Sequence, residues 1–273
     1  MPTLLSKYGQ WALITGASSG IGRAFALQLA QQGFSLVLVA RNQKALEQLA
    51  TELKSKYQAE TMIVASDLST IDAVSELYSK VSSLNIGLLI PSAGIDEMGK
   101  FIDKDYELIE KMLFLNVQAP TKLAHLFGQK MKDRERAAII LVSSIFAYQG
   151  IPNFAAYAAS KSYILTLGET LNVEMSKQGI DVLVLSPGLT DTPFSQSMPI
   201  DFSKIPMIAQ QANQVARTGL KHIGKKPTVV SGVLNKFYAW ENRLIPRSWP
   251  VKLFGFLINR AMKSHTRKSQ LKT

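Results

Sequence analysis

The sequence predicts a doubly wound α/β fold of about seven parallel strands with helices on both faces, followed by a C-terminal helical extension. Three observations carry this expectation. Short apolar runs alternate with helix-like patterns from the start, a glycine-rich turn follows the first run directly, and no linker, low-complexity tract or internal repeat interrupts the alternation. A chain of 273 residues is long enough to bury the core of one large α/β domain. The expected division is a domain over 1–232 and a basic amphipathic extension over 233–273.

In chain order, WALIT (11–15), SLVLVA (35–40), TMIVA (61–65), GLLIP (87–91), AAIILV (137–142), DVLVL (181–185) and TVVS (228–231) read as strands. They are short and largely apolar, as strands covered on both faces of a parallel sheet are. Between them, 20–32, 43–57, 71–82, 106–130, 155–177 and 207–222 read as helices. The rhythm is that of right-handed βαβ crossovers, in which ligands bind at the carboxyl ends of the strands.

Composition excludes several chemistries. Without cysteine there is no disulfide framework, no thiol nucleophile and no thiolate metal site, and a reducing compartment is the simplest expectation. His125, His222 and His265 are far apart with no ligand-like spacing, so no metal is expected. The first ten residues hold no apolar run long enough for a signal peptide or a membrane span, and a cytoplasmic protein is expected.

The chemistry-bearing residues fall at strand ends. Gly16, Ser18, Ser19, Gly20, Ile21 and Gly22 follow the first strand and open a helix. Glycines permit the tight turn and close approach of backbone to a pyrophosphate, and a helix N-terminus offers free N–H groups and a favourable dipole. Placed there, the turn is a dinucleotide signal, and without Gly-Lys-Ser/Thr it is not a nucleotide-hydrolase loop. After the second strand stands Arg41 where an acid would bond a ribose 2′-hydroxyl, so a 2′-phosphate, and hence NADP(H), is favoured. Arg23 either adds positive potential or is an ordinary helix residue.

Tyr157 and Lys161, four apart on one expected helix, share a face. A phenol of pKa near ~10 is a poor base at neutrality, and a nearby ammonium favours its phenolate. Ser144, thirteen residues before Tyr157 and just past an apolar strand, can polarise a substrate carbonyl. The Tyr-x-x-x-Lys spacing alone is common on amphipathic helices, and the surrounding motifs give it meaning.

Together these residues resemble the single-domain short-chain dehydrogenase/reductase family, over roughly residues 8–232. TGASSGIG resembles its TGxxxGxG cofactor turn, Asp67 and Leu68 its adenine-contacting pair, and Ser92-Ala93-Gly94 the end of its Asn-Asn-Ala-Gly motif. Asn116, Ser144, Tyr157 and Lys161 resemble its catalytic set, and Ser186-Pro187-Gly188 with Thr192 the segment lining the nicotinamide side. The resemblance implies a Rossmann-like fold and a reaction in which Tyr157 is acid in reduction and base in oxidation. Lys161 then binds ribose hydroxyls and lowers the tyrosine pKa, Ser144 holds the carbonyl oxygen, and Asn116 holds a relay water. Pro91 and Ser92 depart from the family's asparagine pair. Ser143 has the wrong spacing to Tyr157, and Ser144 the right one.

Substrate contacts are expected from the loops around 95–101, 145–154 and 189–207, with Phe101, Phe146, Tyr148, Phe154, Phe194, Met198, Phe202 and Met207 forming an apolar pocket and Lys204 as the one candidate anchor for an anion. The expected activity is NADP(H)-dependent reduction of an apolar ketone, aldehyde or 3-oxoacyl-type carbonyl. The alternatives are an NADP-linked alcohol dehydrogenase running in the oxidative direction, or a non-catalytic NADP(H) sensor. The net charge of +11 belongs to the C-terminus, since residues 217–273 hold thirteen Lys or Arg and one acid. Pro246 and Pro250 are expected to divide the tail into two helical pieces. It suits peripheral contact with an anionic membrane, packing on the domain or contact with another subunit, and nucleic acid is not expected. The long helices bearing Asn116 and Tyr157 resemble the family's dimer surfaces, so a homo-oligomer is expected.

Overall fold

The computed structural model describes residues 3–241, 246 and 248–262. The expected basic tail beyond 262, His265 included, lies outside the described residues.

The elements run α1 (Leu4–Tyr8), β1 (Trp11–Thr15), α2 (Gly20–Gln31), β2 (Ser35–Ala40), α3 (Gln43–Tyr57), β3 (Thr61–Ala65), α4 (Ala73–Lys80) and β4 (Ile86–Pro91). Then follow α5 (Tyr106–Leu113), a π-helical turn (Phe114–Gln118), α6 (Ala119–Met131), β5 (Ala137–Val142), α7 (Ala155–Ser176) and β6 (Ile180–Ser186). After these come β7 (Thr190–Asp191), α8 (Pro193–Gln196), β8 (Gln210–Gln211), α9 (Ala212–His222), β9 (Thr228–Val230), α10 (Val233–Glu241) and α11 (Ser248–Ala261).

Seven strands form one parallel sheet in the order β3-β2-β1-β4-β5-β6-β9. Thr15, at the end of β1, lies beside Val39 on one side and Pro91 on the other. The order reverses between β1 and β4, and that crevice is where such sheets bind ligands. Alternation along the strands divides the core. Ala12, Ile14, Leu36 and Leu38 pack with Phe25, Leu29, Leu46 and Val215, while Leu13, Val37 and Val39 pack on the other face with Leu77, Leu123, Phe127 and Ile164. Burial on both faces is why these strands read as continuous apolar runs.

Several boundaries differ from expectation. The helix expected from 71 starts at Ala73, and the one expected from 207 starts at Ala212, because Gln210 and Gln211 pair with Thr190 and Asp191 as a small second sheet. The helix expected over 106–130 is continuous but widens into a π turn at Asn116. The tail does form two helical pieces, α10 and α11, but Pro250 does not mark the break between them. It sits in the first turn of α11, where its missing N–H has no helical acceptor to forgo. The short α1 was absent from the sequence reading. It is held from afar, as the Tyr8 phenol and Lys7 ammonium donate to the Asp181 carboxylate at 2.7 and 2.8 Å, and Arg136 joins them. Burial opposes ionisation of Asp181, but these donors hold its carboxyl below the usual range. This anchor lies at the amino end of β6, opposite the strand ends that carry the site.

Candidate active site

At the end of β1 the chain turns through Gly16, with φ of 67°. A Cβ at Gly16 would stand 3.0 Å from the Ala93 backbone, and one at Gly22 would lie 2.3 Å from the Gly16 carbonyl oxygen. The turn is therefore closed to side chains and open to a ligand lying against backbone. Gly20, with φ of 53°, faces Thr192 from the segment after β6. Ser19, at the N-cap of α2, makes no capping bond, which leaves first-turn N–H groups available to an anion. Across the switch point the Thr15 hydroxyl accepts from the Ala93 amide at 3.0 Å. This bond ties the first and fourth strand ends together where Pro91 and Ser92 supply no asparagine amides.

The deep cleft above these strand ends is lined by the glycine turn (Gly16, Ser18, Ser19, Gly20, Ile21, Gly22), by Arg41 after β2, and by Asp67 and Leu68 after β3. Ala93 and Gly94 after β4, Ser144 after β5, Tyr157 and Lys161 on α7, and Pro187, Gly188 and Thr192 after β6 complete it. Of the residues singled out in the sequence for catalysis or cofactor binding, Asn116 alone does not line the cleft. The cradle fits a dinucleotide: glycines a Cβ would fill, open helix N–H groups, and an exposed arginine at the far rim. Arg23 is not part of it, since its guanidinium pairs with Glu52. Asp67 accepts from the Ser69 amide and hydroxyl at 3.1 and 2.7 Å. Burial works against its charge, but the Ser69 bonds, with Lys111 and Arg41 nearby, hold its carboxyl below the usual range.

Ser144, Tyr157 and Lys161 meet at the other end. Ser143 is buried and donates to the Lys161 carbonyl at 2.8 Å, so its role is structural, while half-buried Ser144 faces the cleft. Tyr157 is nearly buried, with Phe146, Phe154 and Phe194 ring centroids 6.2 to 6.3 Å from its own. Burial pushes the phenol well above the ordinary tyrosine value, a hydrogen bond with Ser144 draws it partway back, and the Asp96 carboxylate raises it further. The Lys161 ammonium lies 5.7 Å from the phenol ring centroid and donates to the Val142 carbonyl at 3.3 Å. Its own pKa is lowered to about 8 by burial. Desolvation, rather than the ammonium, therefore dominates the phenol in this structure.

Asn116 sits behind Tyr157 and Lys161. Its side-chain carbonyl accepts from the Ile95 amide at 3.0 Å, and its amide donates to the Ile95 carbonyl at 2.7 Å and the Ser160 hydroxyl at 3.3 Å. The amide thus clamps the segment after β4, and a Cβ on Gly94 would stand 3.1 Å from Asn116 and 3.4 Å from Lys161. Asn116 lies within the π turn and is buried, in line with Ile109, Met112 and Ala119 on the inward face of the continuous helix.

The family model described as short chain dehydrogenase matches residues 10–201. The chain belongs to the short-chain dehydrogenase family. It is accordingly an oxidoreductase. Among its relatives, a 7beta-hydroxysteroid dehydrogenase of Clostridium sardiniense is 34% identical, with 89% of this chain and 93% of the relative aligned. A very-long-chain 3-oxoacyl-CoA reductase of Mus musculus is 28% identical over 94% of this chain and 83% of its own length. A structure solved to explain 7beta-hydroxysteroid dehydrogenase stereoselectivity superposes with a TM-score of 0.85 at 29% identity, covering 93% of this chain and 100% of that one. A short-chain dehydrogenase from Sphingobium yanoikuyae in complex with NADPH superposes with a TM-score of 0.76 at 28% identity, covering 86% of this chain and 93% of that one.

On the substrate side of this dehydrogenase, Phe146, Phe154, Phe194, Met198, Phe202 and Met207 line the cleft as the sequence suggests. Phe101 does not, being 57% exposed, and Tyr148 lies outside the lining. Lys204 is no anchor either, since it pairs with Asp201 at 3.5 Å outside the cleft. Ile95 and Leu189 line it from the expected loops, while Leu115, next to Asn116, lay outside them and was missed, since it carries no chemical signature of its own.

Proposed function

We propose that this chain reduces the carbonyl of an apolar ketone to the alcohol with NADPH. The observation that carries the reading is the convergence of Ser144, Tyr157 and Lys161 at one end of the cleft whose other end is the glycine cradle and Arg41. Gly16, Ser18, Ser19, Gly20, Ile21 and Gly22 would hold the pyrophosphate, and Arg41 the 2′-phosphate. Asp67 and Leu68 would flank the adenine, with Ala93 and Gly94 beneath the adjoining ribose. Lys161 would bind the nicotinamide ribose, and Pro187, Gly188 and Thr192 would line the nicotinamide side. The nicotinamide, when bound, supplies the hydride.

The protein's part is position and proton transfer. The Ser144 hydroxyl donates a hydrogen bond to the substrate carbonyl oxygen, and the Tyr157 phenol gives that oxygen its proton. A phenol whose pKa is raised by burial is protonated at neutral pH, which poises Tyr157 as the acid of the reductive direction. Asn116, holding Ile95 and Ser160, keeps the segment after β4 and the start of α7 in register beneath both groups. Aromatic and methionine side chains exclude water from the carbonyl and favour a rigid or chain-like apolar substrate, a class that includes the steroid and 3-oxoacyl compounds in the names of the relatives.

Residues 1–232 form the catalytic domain in this reading and 233–273 an extension, whose helices α10 and α11 back the substrate loops. Exposed Leu108, Tyr163 and Val173 on α5 and α7 suit a homo-oligomer built on these helices. The test is titration with NADPH and NADH, then turnover of ketones of increasing apolar size. Tight NADPH binding with turnover rising with apolar size supports the proposal; binding without turnover across the panel overturns it in favour of a sensor.

A further inference from the structure

Helices α10 and α11 are apolar on two faces. The inner face of α11, Pro250, Phe254, Ile258 and Ala261, is buried. Phe254, Ile258 and Ala261 share one cluster with Tyr157, Phe154 and Ile200. The two helices hold the substrate loops in place: the Asp201 backbone amide donates to the Ala261 carbonyl at 2.8 Å, the Asn153 side-chain amide donates to the Asn259 side-chain oxygen at 2.9 Å, and the Tyr238 hydroxyl donates to the Pro206 carbonyl at 2.8 Å. The outer face is different. Trp249, Leu253 and Phe256 on α11 are 63%, 56% and 62% exposed, and Val233, Phe237 and Trp240 on α10 are 84%, 53% and 53% exposed. Each triplet follows the i, i+4, i+7 spacing of one helix face. The two helices are neighbours, since the Tyr238 ring packs edge-on against Phe254 at 5.8 Å.

A solvated helix does not carry two aromatics and an aliphatic on its outward stripe, so something covers these. Charge identifies it. Beside the α10 stripe lies a groove lined by Arg217, Lys221 and His222 of α9 and by Val233 and Lys236 of α10, so that Val233 and Lys236 belong to groove and helix alike. Among the described residues none of Arg217, Lys221 and Lys236 forms an ion pair. Lys252 and Arg260 are exposed on α11, and Glu241 is the only acid from residue 217 onward. A second copy of the chain meeting this surface about a two-fold axis would set one basic patch against another. An anionic lipid surface offers acyl chains for the tryptophans and phenylalanines, and phosphates for the lysines.

We infer that the outer face of α10 and α11, with the adjoining Arg217, Lys221 and Lys236 groove, docks on an anionic phospholipid surface and so sets the loops that line the cleft beside the bilayer. The test uses the full chain, without cofactor or substrate, so that it stands or falls apart from the reductase assignment. Co-sedimentation is measured with vesicles of phosphatidylcholine alone and of phosphatidylcholine mixed with phosphatidylglycerol. Binding to the mixed vesicles that weakens with added salt is expected, as is a blue shift of tryptophan emission. The exposed triple variant Trp249→Ser, Leu253→Ser, Phe256→Ser and the pair Lys221→Glu, Lys236→Glu should each bind more than about tenfold more weakly. Turnover of a small soluble ketone should stay unchanged in both. Absence of wild-type binding to mixed vesicles, or equal binding by the variants, overturns the inference. Conversion of a sedimenting dimer to monomer by the triple variant, with vesicle binding unaltered, would assign the face to a second copy and overturn it as well.

Discussion

The two halves of the cleft are built in opposite ways. The proposed cofactor half is lined by the first few residues that leave β1, β2, β3 and β4, each segment offering backbone or one or two side chains. The substrate half is assembled from segments distant in sequence. The loop around Phe154 is tied to Asn259, and Ile200 bridges to Met262. The difference teaches that recognition by backbone is a local property, because glycine or its absence decides whether a turn can be made. Recognition by apolar side chains is a property of how remote segments pack.

Substitutions can break or sharpen that contrast. The largest effect belongs where the halves meet: Tyr157→Phe should lower carbonyl turnover by about 10³-fold or more while leaving NADPH affinity within a few-fold, measured by single-turnover kinetics and fluorescence titration. Retained turnover would remove Tyr157 from the proton path. In the cofactor half, Gly22→Ala forces a Cβ to 2.3 Å from the Gly16 oxygen, and NADPH affinity should fall about a hundredfold. Calorimetric titration checks it, and near-native affinity would show that the turn has slack. Arg41→Ala should weaken NADPH about tenfold and leave NADH unaffected. Equal losses for the two cofactors would show that Arg41 does not read the 2′-phosphate.

In the substrate half, Phe254→Ala should destabilise the fold by about 3 kcal/mol, because it empties a site buried behind the loops. It should raise KM for bulky ketones several-fold with NADPH affinity unchanged, which steady-state kinetics and thermal melts together resolve. A change in NADPH affinity instead would mean that the halves are coupled through the loops. The smallest effect is one of pH. Lys161 is cationic below its lowered pKa of about 8 and neutral above it, so NADPH affinity should decline as pH rises through that value. Lys161→Met should flatten the dependence. A decline that persists in the variant would have another source.

How much was legible follows the same division. The seven strands of the central sheet and the glycine turn stood in the sequence because buried parallel strands must be apolar along their length and a strand-to-helix turn this tight needs glycine where a Cβ would strike backbone. Arg41 and Asp67, just past strand ends, and Lys161, on α7, stood out because their chemistry distinguishes them from their neighbours. The π turn at Asn116, the pairing of Gln210 and Gln211 with Thr190 and Asp191, and the anchoring of Tyr8 on Asp181 were not legible. Each rests on a partner between about 20 and 170 residues away that no local pattern announces.

By itself, then, the sequence determined the sheet, the glycine turn and which chemically distinctive side chains line the cleft, since these depend on periodicity and on side-chain chemistry that stands out from its neighbours. Only the tertiary structure decided which aromatics wall the phenol and that burial rather than Lys161 governs its acidity. It also decided that the C-terminal helices back the substrate loops while showing a second apolar face outward. The reason is that desolvation and packing are sums over neighbours drawn from the whole chain, and such sums exist only once the chain has folded.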